Sequence, residues 1–541
     1  MKKILFFAVA VVTLMLHGAD KKLVYKLDLD DPGVRATVRQ HSFAKIESDP
    51  DGTRVLTVTV SPEEMKSAPD VADNTRQKAP QVIRFSLDIK KMGVAGKRLY
   101  GEAEIRFNNV SKPDHRWNGV KFQLEYESGG ITCYPMYFFG IPSFGTQKEY
   151  FRSFCAHPIE NDVKLARLTL GLQESSGTVS FRNVRFYSGV HELPSVLEQE
   201  RILQAKYTDR VLGQPMLRGV MSPVAFRDDD FAELQKWNVN LIRWQLTRDG
   251  GQDSTLEQYK KQLDGKIEEL QQVLDAARKY GFKVVIDLHP FGGARVILDS
   301  EAGRRFLPEF WKKVVTRYKD HPALWGYDIL NEPEYRALPP EVPSWPSIAA
   351  GVIREIRAID PETPIIVEAD GCAQYDMLEF LPVFEEVNII YSIHFYMPGI
   401  YTHQLDAHRK PFMHYPDDSK KWNREYIRQH LARAREFQQK TGARIYVGEV
   451  GCIRWAPGGN LWLRDCIDFF EEYGWDWCYH AYREWDGWSA EHSEDPGVKE
   501  IQPMTPRKQL LLDYFRKNRE QGSEQSASDA AAAMRTRRLR L

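Results

Sequence analysis

The sequence predicts an α/β protein: a (β/α)8 barrel of the TIM type, preceded by an N-terminal β-sandwich. Three observations predict it. At 541 residues the chain is too long for one ordinary core. Up to about residue 190, apolar residues alternate with a period of two between turn signals, as in packed antiparallel sheets. From about 211 to 518, short apolar runs alternate with amphipathic helical stretches, the pattern of parallel strands joined by helices.

Residues 1–19 read as a secretory signal. Lys2 and Lys3 precede an apolar run from Ile4 to Leu16, too short for a membrane span, and Gly18 and Ala19 offer a cleavage point. The expected product is a soluble protein, secreted or periplasmic, with no integral membrane segment after signal removal. The balance of 74 Lys+Arg against 75 Asp+Glu gives nucleic acid no reason to bind.

The sandwich is expected over 20–190. Arg54 to Val60, Leu99 to Phe107, Val120 to Tyr126, Ala166 to Leu172 and Thr178 to Tyr187 read as strands, and no strong helical stripe interrupts them. Asp49-Pro50-Asp51-Gly52 and Gly129-Gly130 read as turns. Trp117, Tyr134, Tyr137 and Tyr150 are candidates for a sugar-binding face, and core packing explains them equally well. Six cysteines match no zinc spacing; Cys133 and Cys155 allow a disulfide or two buried thiols.

A charged linker follows over 191–210. Barrel strands are expected at Met216–Met221, Val239–Leu246, Lys283–His289, Ala323–Leu330, Pro364–Glu368, Ile389–Tyr396, Arg444–Gly448 and Trp477–Arg483. Helices are expected between them, among them Leu256–Tyr280, Gly303–Lys319, Trp345–Ala358, Trp422–Gln439 and Leu461–Glu472. No glycine-rich turn follows the first strand, which argues against a nucleotide-binding open sheet. Asp228-Asp229-Asp230 reads as the cap of the next helix rather than a metal site. Residues 519–541 read as a disordered tail.

Active-site groups of such barrels sit at the carboxyl ends of the strands. The fourth strand ends in Asn331-Glu332-Pro333, where the proline stops the ladder and leaves a carboxylate at the strand end. The seventh ends in Gly448-Glu449. Two strand-end carboxylates are what glycosidic bond cleavage requires. Arg243 lies on the second strand, Asp287 and His289 close the third, His394 and Tyr396 close the sixth, and Trp485 follows the eighth.

On these motifs, residues 211–518 resemble glycoside hydrolase family 5, the cellulase-type group. The resemblance implies Glu332 as acid/base, Glu449 as nucleophile and Arg243 as the arginine that holds it. It implies His289 and Asn331 as the substrate-positioning pair, and His394 and Tyr396 as the pair beside the glutamates. Trp485 best matches the aromatic platform under the reacting sugar, with Trp488 and Trp477 as competitors. It further implies a retaining β-glycosidase acting on a polysaccharide or oligosaccharide, foremost β-glucan or β-mannan, with no metal and no cofactor. A transglycosylase, an exo-glycosidase or a non-catalytic carbohydrate binder are the alternatives. Glu368, Trp244, Arg295 and Arg336 are candidates for shaping subsites; Asp287 has no assigned role. The sandwich is similar, at the level of fold, to jelly-roll carbohydrate-binding modules.

Overall fold

The structure, a computed structural model, describes residues 22–71, 77–115, 118–128, 131–133, 143–189, 195–246, 255–290, 293–334, 343–404 and 413–519. The expected signal, the tail beyond 519, Trp117, Tyr134, Tyr137 and Arg336 lie outside the described residues, as do the side chains of Cys133 and Cys155. The chain divides into two compact units. One comprises Met1–Pro69 and Lys78–Pro194, the other Asp70–Gln77 and Ser195–Leu541.

The first unit holds two antiparallel sheets. One orders Ala44–Ser48, Arg54–Val60, Gly177–Ser188, Arg98–Val110 and Gly145–Pro158, with Lys22–Lys26 also paired to Gly177–Ser188. The other orders Gln81–Asp88, Leu165–Gln173, Gly119–Ser128 and Ile131–Cys133. Inward residues of both sheets, such as Leu56, Ile105 and Phe181 from one and Ile83, Phe122 and Leu170 from the other, form one apolar core. A short helix, Pro32–Arg39, departs from the all-strand expectation. Asp31 caps it by accepting from the backbone of Gly33 and Val34, and its eight residues, opening on Pro32-Gly33, are too few to show a helical stripe. The guanidinium groups of Arg106 and Arg182 lie over the ring of Tyr150, 4.6 and 3.9 Å from its centroid, so this ring is not an open sugar platform.

The second unit is a closed barrel of eight parallel strands: β1 Arg218–Met221, β2 Leu241–Gln245, β3 Lys283–Asp287, β4 Leu324–Asp328, β5 Ile365–Glu368, β6 Ile389–Phe395, β7 Ile445–Val450 and β8 Asp476–Tyr479. Strand β8 pairs with β1 to close it. Helices Leu256–Tyr280, Glu301–Tyr318, Trp345–Arg357, Arg424–Thr441 and Gly459–Tyr473 cover it, and residues 506–519 form a further helix. Their ends follow local chemistry. Thr255 and Gln258 form a reciprocal capping box, and Ser300, Ser344 and Asn423 each accept from the third backbone N–H of their helix. Among the described residues no helix is long and apolar enough to cross a membrane.

One residue from nearly every strand fills the barrel floor: Leu241, Val285, Trp325, Ile366, Ile390, Tyr446 and Cys478, with Leu217 just before β1. This apolar plug sets the level above which polar side chains gather.

Candidate active site

Side chains alternate along a strand, so the next inward position lies two residues beyond each plug residue. That step places Arg243, Asp287, Glu368 and Ser392 above the plug, all buried. Strands β4 and β7 break the alternation. Pairing moves from Val284–Leu324 to Val285–Gly326 in β4, and from Ile393–Val447 to His394–Glu449 in β7. Each irregularity inserts one residue, so Asp328 and Glu449 turn inward three residues after Trp325 and Tyr446. Gly448 makes room for the second shift: a Cβ there would sit 2.9 Å from Nε2 of His394.

Arg243 is fully buried and is the hub of the site. Its Nη1 donates to Oε1 of Glu449 at 2.9 Å and its Nε to Oδ2 of Asp328 at 3.0 Å. Nη2 donates to Oε1 of Glu368 at 2.7 Å and to Oδ1 of Asn331 at 3.0 Å, and lies 3.2 Å from Oδ1 of Asp287. One planar cation thereby organises four carboxylates, which a point-charge ammonium would not do. Burial pushes Asp328 well above the usual carboxylate range, and Glu368 adds to it. Of the acids around Arg243, Asp328 is thus the one on which burial and the neighbouring carboxylates favour a proton.

Glu449 is buried yet held ionised. Burial works against its charge, but His394, His480, Arg243 and His289 together hold it well below the usual carboxylate range. Tyr396 donates from its hydroxyl to Oε2 of Glu449 at 2.7 Å. Burial and the charge of Glu449 keep that phenol protonated far above its usual range.

Glu332 stands opposite, its side chain 31 % exposed. It occupies the left-handed region at φ 47°, a conformation that costs a non-glycine residue about 1 kcal/mol or more. Its backbone N–H donates to Oε2 of Glu368 at 2.6 Å, and its Oε1 lies 3.0 Å from Nδ1 of His394. The same Nδ1 is 3.6 Å from Oε2 of Glu449. One oxygen of each glutamate and a ring nitrogen of His394 lie within 4.8 Å of one another. Burial opposes a charge on His394, yet Glu368 and Glu449 push it well above the usual histidine range. His289 is tied to Asp287, Nδ1 to Oδ2 at 2.8 Å, and its Nε2 lies 3.3 Å from the Asn331 amide.

The structure thus brings Arg243, His289, Asn331, Glu332, His394, Tyr396 and Glu449 into one cluster. Asp287, left without a role, anchors His289 and Arg243. Glu368, a candidate for shaping subsites, is instead a buried acceptor at the centre of the cluster. Asp328 and His480 were missed. Asp328 was hidden by the irregularity in β4; His480 could have been found two residues beyond Cys478 of the plug.

The aromatic candidates separate. Trp488 packs at 6.0 Å on Tyr396 and stacks at 5.1 Å on His480. Trp485 is 48 % exposed and meets Trp488 and Trp455 edge-on. Its ring lies over Gly487, where a Cβ would come within 2.3 Å of it. Trp477 is buried, stacks on Phe515 and donates to Glu471, so it is no platform. Trp244 faces the helices, packed against Phe226 and Phe231, and shapes no subsite. Arg295 pairs with Asp299. The Asp228–Asp230 run does not cap: Arg227 holds the cap position and the acids fill the first turn, where the helix dipole favours them. There Asp228 pairs with Lys279, and Asp230 with Arg483.

The family model for cellulase, glycosyl hydrolase family 5, matches residues 213–489. The chain is 25 % identical over 258 residues to Endoglucanase C of Acetivibrio thermocellus, covering 41 % of this chain and 73 % of the relative. It is 25 % identical over 248 residues to Cellodextrinase A of Ruminococcus flavefaciens, covering 42 % and 69 %. Among solved structures, Thermotoga maritima Cel5A in complex with mannotriose superposes with a TM-score of 0.46 at 21 % identity, covering 57 % of this chain and all of that one.

Proposed function

The chain belongs to glycosyl hydrolase family 5, the cellulase family, and we propose that it is an exported retaining enzyme that cleaves β-glycosidic bonds of a polysaccharide or oligosaccharide. The observation that carries the mechanism is the approach of Glu332 and Glu449 within 4.8 Å through His394. A pair about 5 Å apart leaves no room for water between sugar and carboxylate, which is the retaining arrangement. The curated relatives named endoglucanase favour β-glucan as the sugar.

Glu449, ionised and aimed by Arg243 and Tyr396, attacks the anomeric carbon. Glu332 gives its proton to the departing glycosidic oxygen. The covalent glycosyl–Glu449 bond is then broken by water, whose proton returns to Glu332, and the product keeps its configuration. His394 holds Glu332 in register with Glu449. Asn331, fixed between Arg243 and His289, meets the sugar hydroxyl next to the reacting carbon.

Glu332→Gln and Glu449→Gln test this. Each variant should melt as a folded protein and lose about a thousandfold or more in rate. Azide should rescue Glu449→Ala and yield an inverted glycosyl azide. Near-normal hydrolysis by either Gln variant rejects the assignment. A screen of polysaccharides and aryl glycosides, followed by product analysis over time, identifies the sugar and separates hydrolysis from transfer and endo from exo action.

A further inference from the structure

His480 follows β8, and its ring enters the polar layer above the plug. Both ring nitrogens are engaged. Nε2 lies 2.8 Å from Oε2 of Glu484, and Nδ1 lies 2.5 Å from the hydroxyl oxygen of Tyr396. That hydroxyl is 2.7 Å from Oε2 of Glu449, whereas Nδ1 itself is 3.6 Å from the same oxygen. The ring is clamped against Trp488 at 5.1 Å with planes 26° apart. Glu484, His480, Tyr396 and Glu449 therefore form one continuous hydrogen-bonded chain that ends on the carboxylate.

A phenol has one hydrogen to give. With Nε2–H donated to Glu484 and Nδ1 bare, Nδ1 and Glu449 compete for it. With both ring nitrogens protonated, Nδ1–H donates to a lone pair of the Tyr396 oxygen, and the phenol hydrogen has only Glu449 left to meet. We propose that His480 is a positioning residue whose charged form commits the Tyr396 hydroxyl to Glu449, with Glu484 as the anchor that keeps the ring in that form. The inference rests on Glu449 being the nucleophile, because only then does the direction of that hydrogen reach the chemistry.

The surroundings agree. The groups facing His480 are Glu484 from its own segment, Glu449 from β7, Tyr396 from the end of β6, His289 from the end of β3, and His403. Burial opposes a charge on His480, but Glu484 and Glu449 push the ring above the usual histidine range despite His289. Burial, with a contribution from His480, holds His403 below that range, so it does not compete as a second cation. Glu484 is itself held below the usual carboxylate range, against burial, by His480. The anchor and the ring thus each favour the charged form of the other.

The test has two arms on the full chain. In the first, the histidine nitrogens are titrated by 15N NMR, with His480 identified by the signal lost in His480→Gln. Wild type should keep both nitrogens protonated to a pH above the ordinary histidine value of about 6.5, and Glu484→Gln should lower that point. A His480 that is neutral at pH 6 overturns the proposal. In the second arm, kcat/KM is followed against pH. His480→Gln should cost about tenfold, the worth of one hydrogen bond to a charged group, and close to nothing in a Tyr396→Phe background. The alkaline limb should move to lower pH in Glu484→Gln. Losses that add in the double variant, or an alkaline limb unmoved by Glu484→Gln, reject the coupling. If wild type hydrolyses no glycoside, the proposed function fails, and the NMR arm still decides for or against the charged His480.

Discussion

The backbone N–H of Glu332 donates to Oε2 of Glu368 at 2.6 Å, while the other oxygen of the same carboxylate takes Nη2 of Arg243 at 2.7 Å. Glu368 also lies 3.3 Å from Nε2 of His394, though not in hydrogen-bond alignment. This one residue therefore ties the strained turn that carries Glu332 to the cation that holds Glu449. The left-handed backbone of Glu332 persists because a buried acceptor sits where its N–H must point.

Glu368→Gln should disturb the site without touching the sugar. An amide in place of the carboxylate sets an NH2 donor against one of two donors, leaving a buried group unsatisfied at about 1–3 kcal/mol. A lower melting temperature and a fall in kcat of tenfold or more are expected. Thermal unfolding together with initial rates reads both, and unchanged values for both would contradict this role.

Arg243→Lys should be worse than its chemistry suggests. An ammonium cannot reach Glu449, Asp328, Glu368 and Asn331 in one plane, and buried carboxylates are left without a partner. Breaking a buried pair costs about 3–5 kcal/mol, so a variant that is unfolded or strongly destabilised in denaturant titration is the expected outcome. Retention of wild-type stability would show that the cluster relaxes around lysine.

The acid side of the pH profile belongs to Glu449. Its folded-state carboxyl is depressed, so its ionic contribution to stability is present above the unfolded value of about 4.3 and is lost as the pH falls through the lower folded value. The acid limb assigned to Glu449 should accordingly lie below the ordinary carboxylate range. His394→Asn removes the first of the positive neighbours that oppose burial and should move that limb upward. His394 has the opposite sign: its value is raised, so its contribution is complete below about pH 6.5 and is lost as the pH rises through the folded value. Rate and melting temperature measured across pH 3–9 on both proteins check the two directions.

Gly487→Ala should act through Trp485. A methyl group there would collide with the indole ring, which must swing away. Because Trp485 is the exposed aromatic of the Trp455–Trp485–Trp488 group, displacing it should raise KM for a polysaccharide severalfold while leaving kcat on a short aryl glycoside nearly unchanged. Trp485→Ala should give the same split. An equal loss on both substrates would place Trp485 at the reacting sugar instead.

Much of this was legible in the chain. The apolar runs marked the eight barrel strands to within a few residues, because a buried parallel strand has no polar face to blur it. The Asn331-Glu332-Pro333 stop, Gly448-Glu449, His289 and Tyr396 stand at strand ends, and Arg243 and His394 stand at inward positions that a period of two finds. The strand order also delivers Glu368 and His480, once Ile366 and Cys478 are known to face inward. That knowledge comes only from closure, since a fully apolar strand carries no mark of which side is inside. Asp328 is harder still. Its inward turn depends on an extra residue in β4, which shows only in the pairing of β4 with β3. The sequence by itself determined the barrel and which residues could be the reacting carboxylates. Only the tertiary structure decided how four buried acids share Arg243, why Glu332 is held at positive φ, and which groups meet the hydroxyl of Tyr396. Those outcomes depend on distances of about 3 Å between strands remote in sequence, which strand pairing and closure set.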